Sequence, residues 1–225
     1  MKYPYDLHIH SILSPCGDVL MTPNNIFNMA NLKGLKIIAV TDHNSMKQLN
    51  TCEALSHSYD LLFIPGVEIT VKEGFDVLCY FKTLEDALKV DLILEDALPK
   101  IMNQEEIYGQ QWICDIHDDF IEQYPYLLIN PVEMDLSTLI EILKPYPHIL
   151  IYAHIDKPSR SGKAYVKSYP LDGIEFKDPT KKQAKNHVYN SDAHQIIDIL
   201  EVTDNNQLEL DELSIDAFFR VFKHD

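Results

Sequence analysis

The chain has 225 residues, 46% of them hydrophobic, and only seven glycines; that is enough to bury one sizeable core and excludes a disordered or fibrous chain. Its net charge of -16 argues against long nucleic acid as the main partner, because phosphate backbones are held by clustered Lys and Arg. A small phosphorylated substrate stays open, since bound cations reverse the local sign of an acidic site.

No apolar run is long enough to cross a bilayer, and no basic-plus-apolar leader opens the sequence. No membrane partner is therefore expected, and a cytoplasmic location is. Cys16, Cys52, Cys79 and Cys114 show no paired spacing. Free buried thiols are the expectation for the last three.

Strands alternate with helices along the chain. Tyr3 to His10 reads as a first strand, and Thr22-Pro23-Asn24-Asn25 caps a helix that ends near Gly34. "LKIIAVTDHN" (Leu35 to Asn44) is a nearly unbroken apolar run ending in polar residues, the pattern of a strand buried on both faces. A helix to about Tyr59, a strand "LLFIPGVEIT" (Leu61 to Thr70) and a short strand "FDVLCYF" (Phe75 to Phe81) follow.

From Thr83 to Tyr146 the pattern is mainly helical and acidic, with a short excursion at "QQWICDIHDDF". Strands return at His148 to His154, Gly173 to Phe176 and Val188 to His194, and an amphipathic helix runs from about Asp211 to Lys223. With no repeat, linker or low-complexity tract, residues 1–225 read as one domain with a mainly helical insertion at about 83–146.

Repeated strand-helix units predict parallel strands, in a barrel or an open sheet. "HIH", "TDH", "GVE", "AH" and "SDAH" all fall at the C-terminal ends of strands. Five strand tips delivering His, Asp or Glu to one rim favour the barrel. His8 and His10 share one face of the first strand by alternation, and two adjacent imidazoles can ligate one ion. A solvated His-x-His is the better reading of an isolated pair, but not once Asp42-His43, Glu68, His154 and Asp192-His194 join it. The mixed imidazole and carboxylate set suits Zn, Mn or Fe, with groups enough for two to three divalent ions. Two such ions can share a bridging hydroxide and clamp the oxygens of a phosphate, so phosphoester hydrolysis is the chemistry expected.

"DLHIHS", "TDHN", "PGVE" and "NSDAH", in this order and spacing, resemble the polymerase-and-histidinol-phosphatase (PHP) family from Asp6 to about Asp198. "SPCGD", "MTPNNI", "TDHNS", "CYF" and "AHIDKPS" further resemble a group of stand-alone bacterial phosphoesterases in that family. The resemblance implies an α/β fold, a distorted barrel of seven βα units with a trinuclear metal site at the C-terminal rim. By motif, His8, His10, Glu68 and Asp192 would hold one ion. His43 and His194 would hold a second, joined by Cys16, where relatives supply a ligand; the alternative for Cys16 is a small residue in a tight Pro15-Cys16-Gly17 turn. Glu68 would bridge to a third ion, shared with His154.

Asp76 stands where close relatives carry a histidine. It is either a harder ligand for the third ion or the sign of a weak or empty position. Asp6 and Asp42 read as outer carboxylates that accept the free ring N–H of a ligating histidine. Lys157 and Arg160, just past His154, are the candidate cations for orienting a phosphate, with Lys177 a weaker one. The catalytic set is thus His194, Asp192, Lys157 and Arg160. His57, His117, His148, His187 and His224 lie outside the motifs and read as surface or core residues.

The function expected is hydrolysis of a small phosphorylated substrate, a phosphomonoester or nucleotide. The alternatives are a catalytically weak metal-binding regulatory module and an exonuclease-like activity on short oligonucleotides. An amidohydrolase fits the first His-x-His but neither "TDHN" nor "PGVE".

Overall fold

The computed structural model describes residues 1–223. In chain order these form β1 (Lys2–Ile9), α1 (Pro23–Leu32), β2 (Ile37–Val40), α2 (Leu49–Ser56), β3 (Leu62–Phe63), β4 (Gly66–Thr70), β5 (Asp76–Phe81) and α3 (Leu84–Ala97). Then come α4 (Glu105–Tyr108), β6 (Trp112–Cys114), β7 (Phe120–Gln123), α5 (Leu136–Leu143), β8 (His148–Tyr152), β9 (Gly173–Phe176), β10 (His187–Tyr189), β11 (Gln207–Glu209) and α6 (Ile215–Phe222).

Local chemistry sets the helix ends. Pro23 occupies the first turn of α1, where its missing N–H costs nothing. The side chains of Thr83, Asp135 and Ser214 accept the backbone N–H groups of Asp86, Thr138 and Ala217, capping α3, α5 and α6.

Three sheets form, in the orders β11-β1-β2-β3, β10-β9-β8-β5-β4 and β6-β7. The expected (βα)7 barrel is replaced by this mixed α/β arrangement of open sheets. The reason lies at Pro65 and in the short connection between β4 and β5. The run read as one strand from Leu61 breaks into β3 and β4 around Pro65, which lacks the N–H a continuous ladder needs. The five-residue connection from β4 to β5 then leaves no room for a crossover helix, so those strands pair antiparallel, as do β5 and β8. The pairs β1–β2, β2–β3, β8–β9 and β9–β10 are parallel, as expected.

The two larger sheets meet through isolated parallel bridges at Ile9–Ala193 and His43–Glu68. Both seams fall beside the polar motifs, so the sheet junction itself gathers the candidate ligands.

Alternation along the strands divides the apolar residues between two cores. One cluster takes Tyr5 and Leu7, Ile37 and Ala39, Leu78 and Tyr80, and Ile149 and Ile151 from the two sheets, with Phe218 and Phe222 of α6. The other takes the alternate residues Ile38, Val40, Val77, Cys79, Leu150 and Tyr152 and packs them against the helices. Cys52, Cys79 and Cys114 are free and buried, as read from the sequence. His224 lies outside the described residues.

Candidate metal centre

The centre starts on β1. His8 and His10 are fully buried, and their Nε2 atoms face each other at 3.1 Å. Glu68 Oε2, from β4, lies 3.4 Å from the first and 3.3 Å from the second. Asp192 Oδ1, three residues beyond β10, lies 3.3 and 3.2 Å from them. Two imidazole nitrogens and two carboxylate oxygens are thus gathered at one place, each oxygen within 3.4 Å of both nitrogens. Imidazole nitrogen and carboxylate oxygen are both ligand types that Zn takes. The donor set fits a divalent ion.

Hydrogen bonds fix which nitrogen of each ring faces this centre. His8 Nδ1 donates to Glu175 at 3.0 and 3.2 Å, leaving Nε2 to the centre. His10 Nδ1 donates to Ser14 Oγ at 3.0 Å. Ser14 Oγ also accepts the His43 backbone N–H at 3.1 Å, and donates its own proton to Asp42 Oδ1 at 2.6 Å. Asp42 takes Ser11 N–H and Oγ–H as well, at 2.7 and 2.6 Å. It thus orients His10 through a serine rather than by touching a ring.

Asp6 plays no such part. It accepts the Ser191 and Leu200 backbone N–H groups at 3.1 and 3.0 Å, tying β1 to the loop that carries Asp192. Asp6 shares a face of β1 with His8 by alternation, but backbone N–H groups take both of its oxygens before a ring nitrogen can.

A second group joins His10, Cys16, His43 and His194, whose ligand atoms lie within 4.8 Å of one another. Since His10 Nε2 faces the first centre and Nδ1 is held by Ser14, Cys16, His43 and His194 are the free members. His43 Nδ1 is buried without a hydrogen-bond partner and lies 3.1 Å from Glu68 Oε2. A buried lone nitrogen of this kind is costly unless something coordinates it. Gly17 permits the turn that presents Cys16, because a Cβ there would sit 2.3 Å from the Ser11 carbonyl oxygen. Burial pushes the Cys16 thiol up, and Glu68 and Asp42 add to the shift. His194 Nδ1 donates to the Asp192 carbonyl at 2.7 Å, and burial, helped by His10, lowers its pKa to about 4.

Glu68, Asp76 and His154 form the third group. His154 Nε2 lies 3.0 Å from Glu68 Oε1 and 3.5 Å from Asp76 Oδ2. Both Asp76 oxygens are already engaged. Oδ2 accepts Arg160 Nε at 2.6 Å, and Oδ1 accepts Arg160 Nη2 at 2.8 Å and Thr70 Oγ1 at 2.7 Å. The Arg160 fork is therefore spent inside the protein, with a further bond to Thr70 Oγ1 at 2.6 Å. Lys157 Nζ reaches Asp192 at the mouth, and Lys177 Nζ reaches the Ser191 carbonyl.

Four of the five non-glycine residues with positive φ lie here: Asn44, His154, Arg160 and Asp192 at +50°, +27°, +56° and +53°. Strained backbone held this way collects at functional sites. Charges are strongly mutual. Burial opposes ionisation throughout, yet Glu175, Glu68 and Asp192 hold His8 well above its ordinary pKa. Against the same burial, His8 and His43 hold Glu68 well below its own, and His8 and His10 depress Asp192.

All nine residues named as ligands from the sequence thus converge. Glu175 and Ser14 are the ones missed. Glu175 was visible as an acid inside the strand "GIEF", where alternation puts it on the buried face of β9. The centre opens into a cavity of about 170 Å³, lined among others by Cys16, His43, Ile129, Lys157, Ser159 and His194. A larger hollow of about 790 Å³ runs along α4, away from every ligand group.

The PHP domain, a sequence-defined family, matches residues 6–204. The chain belongs to the PHP domain family. An uncharacterized protein of Methanocaldococcus jannaschii is 30% identical over 107 residues, 44% of this chain and 61% of that protein. A lesion-specific endonuclease of Pyrococcus furiosus shares the fold at a TM-score of 0.67 and 19% identity, over 99% of this chain and 56% of that one. A Bifidobacterium adolescentis protein, described as a metal-dependent phosphoesterase, gives 0.59 and 16% over 96% of each chain. This PHP chain thus spans about three fifths of those first two relatives.

The expectation that charge argues against long nucleic acid is overturned. The same fold is found in endonuclease Q complexed with a 27-mer duplex substrate carrying an abasic lesion at the active site, at a TM-score of 0.64. Total charge sums groups far apart, whereas binding reads the local field. No helix among the described residues is long and apolar enough to cross a membrane.

Proposed function

We propose that this PHP-family chain is a metal-dependent phosphoesterase that holds two divalent ions. His8, His10, Glu68 and Asp192 would hold one, and Cys16, His43 and His194 the other. The observation that carries the reading is that Glu68 Oε2 and Asp192 Oδ1 each stand 3.2 to 3.4 Å from the Nε2 atoms of both His8 and His10, which are themselves 3.1 Å apart. Thiolate and imidazole at the second position favour Zn or Fe over a hard ion.

When bound, the ions supply Lewis acidity towards phosphate oxygens and lower the pKa of water. The chain's own groups do the rest. Glu175 and Ser14 keep the His8 and His10 protons on the far side of each ring. Lys157 keeps its charge at the mouth, Asp192 outweighing the effect of burial, and offers an approaching phosphate a cation. His194, neutral at pH 7 with Nδ1–H given to a carbonyl, is suited to ligation rather than proton donation. Arg160 neutralises Asp76 and stands in for a third ion.

The cavity of about 170 Å³ is the volume of about six liquid waters. A phosphoryl group enters it and the rest of the ester stays outside, which supports a phosphomonoester or nucleotide as the smallest substrate. Purified protein supplied with Zn, Mn or Fe should hydrolyse p-nitrophenyl phosphate or its bis ester. Bound metal with no turnover of either ester would instead leave the metal-binding regulatory module.

A further inference from the structure

The acidic charge of the chain is unevenly spread. Residues 157–185 hold eight of the 19 Lys and Arg against three Asp and Glu, a local charge of +5 in a chain of -16. This stretch begins three residues after His154 and ends seven before Asp192, so it leaves the metal centre on one side and returns to it on the other. Lys157 and Lys177 lie at the centre itself, reaching Asp192 and the Ser191 carbonyl. Further out, Lys163, Lys167, Lys181 and Lys185 are exposed. Among the cations of the stretch, Lys157, Arg160, Lys177 and Lys181 make ion pairs. Lys163, Lys167 and Lys185 have no carboxylate partner among the described residues.

A hollow of about 410 Å³ lies beside Lys163 and Lys167. Its apolar lining comes from Ile155, next to His154, with Val166, Ile174 and Phe176, and Lys163, Lys167 and Lys181 stand around it. Ile174 and Phe176 face it because Glu175 between them faces the metal centre. Asp156 is the acidic group of the lining, and it is bonded to Lys181 at 3.0 Å and to the backbone N–H of Lys177 and Asp178 at 2.8 and 3.1 Å. Unpaired cations around an apolar floor are what a nucleic acid strand requires: charge for the backbone, a flat apolar surface for an unstacked base. A duplex keeps its bases stacked and would offer that floor nothing.

We propose that residues 157–185 form a binding face for a single-stranded oligonucleotide, which places one phosphate of the strand in the metal centre. The proposal rests on the phosphoesterase reading and names its substrate class. Unpaired lysines here act on affinity, and the metal centre acts on turnover.

The test is fluorescence anisotropy of a labelled thymidine oligonucleotide of about twelve nucleotides, with chelator-treated full-length protein so that no hydrolysis occurs. The wild type should bind, with log Kd rising with log salt by about 0.7 for each phosphate contacted. Lys163→Glu combined with Lys167→Glu should weaken binding about tenfold or more and flatten the salt slope, and the Gln pair should do so by less. Lys144→Glu, at the opposite end of β8 and paired with Glu141 at 2.6 Å, should bind as the wild type does. A wild type that does not bind, or a double variant that binds as tightly, overturns the proposal. Turnover of p-nitrophenyl phosphate by metal-restored wild type is read separately. Its absence overturns the phosphoesterase reading, whatever the anisotropy shows.

Discussion

His8 Nε2 and His10 Nε2 face each other at 3.1 Å, with neither proton placed between them by the groups behind the rings. Two lone pairs and two carboxylate oxygens at this spacing repel unless a cation lies at their centre. In the metal-free protein that cation is a proton. Against the cost of burial, the neighbouring carboxylates raise the His10 pKa to about 9 and hold His8 well above its usual value.

Metal loading should therefore expel protons. At pH 7 the raised histidines are protonated in the free protein, and the ion must displace those protons, so apparent affinity should rise as the pH is raised from 7 towards 9. Calorimetric titration with Zn in two buffers of different ionisation enthalpy checks this. Binding heats that are the same in both buffers, showing no proton release, would contradict it.

Ser14 joins three parts of the centre through one oxygen. Ser14→Ala should lower metal affinity about 10- to 100-fold, and should cost about 1–3 kcal/mol of stability through the unpaired Asp42 and His10 groups. Metal retained after dialysis and the thermal melt measure the two effects.

Glu175→Gln probes the other ring. A glutamine amide can present either its oxygen or its NH2 to His8 Nδ1, so the tautomer is no longer dictated. Metal affinity should again fall about 10- to 100-fold, and stability should fall as well, because the one amide oxygen can replace only one of the two carboxylate oxygens that accept the His154 backbone N–H and the Asn190 side-chain N–H. Circular dichroism beside elemental analysis separates this from simple unfolding.

The motif residues were legible in the sequence because each sits where a strand ends, and alternation told which faces they share. Glu175 and Ser14 were less so. Their roles depend on which ring nitrogen they meet across 167 and four residues, a relation that no local pattern carries. The strands were also read correctly in most places, but their closure was not. Parallel pairing was inferred from alternation, whereas the short β4–β5 connection makes β4, β5 and β8 antiparallel, and the break at Pro65 looked like part of one longer strand. Arg160 read as a free clamp because the sequence does not show that Asp76 lies against it.

That pairing makes a prediction of its own. With Arg160 on both Asp76 oxygens, the protein should carry two ions and not three. Asp76→His removes the partner of Arg160 and adds an imidazole beside His154 and Glu68, so the metal content should rise towards three. An unchanged count in the variant would mean that Arg160 does not hold the third position.

The most direct measurement is elemental analysis of the purified protein, with p-nitrophenyl phosphate hydrolysis followed before chelation, after it, and after metal is restored. The protein should hold about two equivalents of Zn, Mn or Fe, with turnover abolished by the chelator and recovered with the metal. A protein that binds no divalent ion, or whose turnover survives complete removal of metal, would contradict the metal-dependent reading.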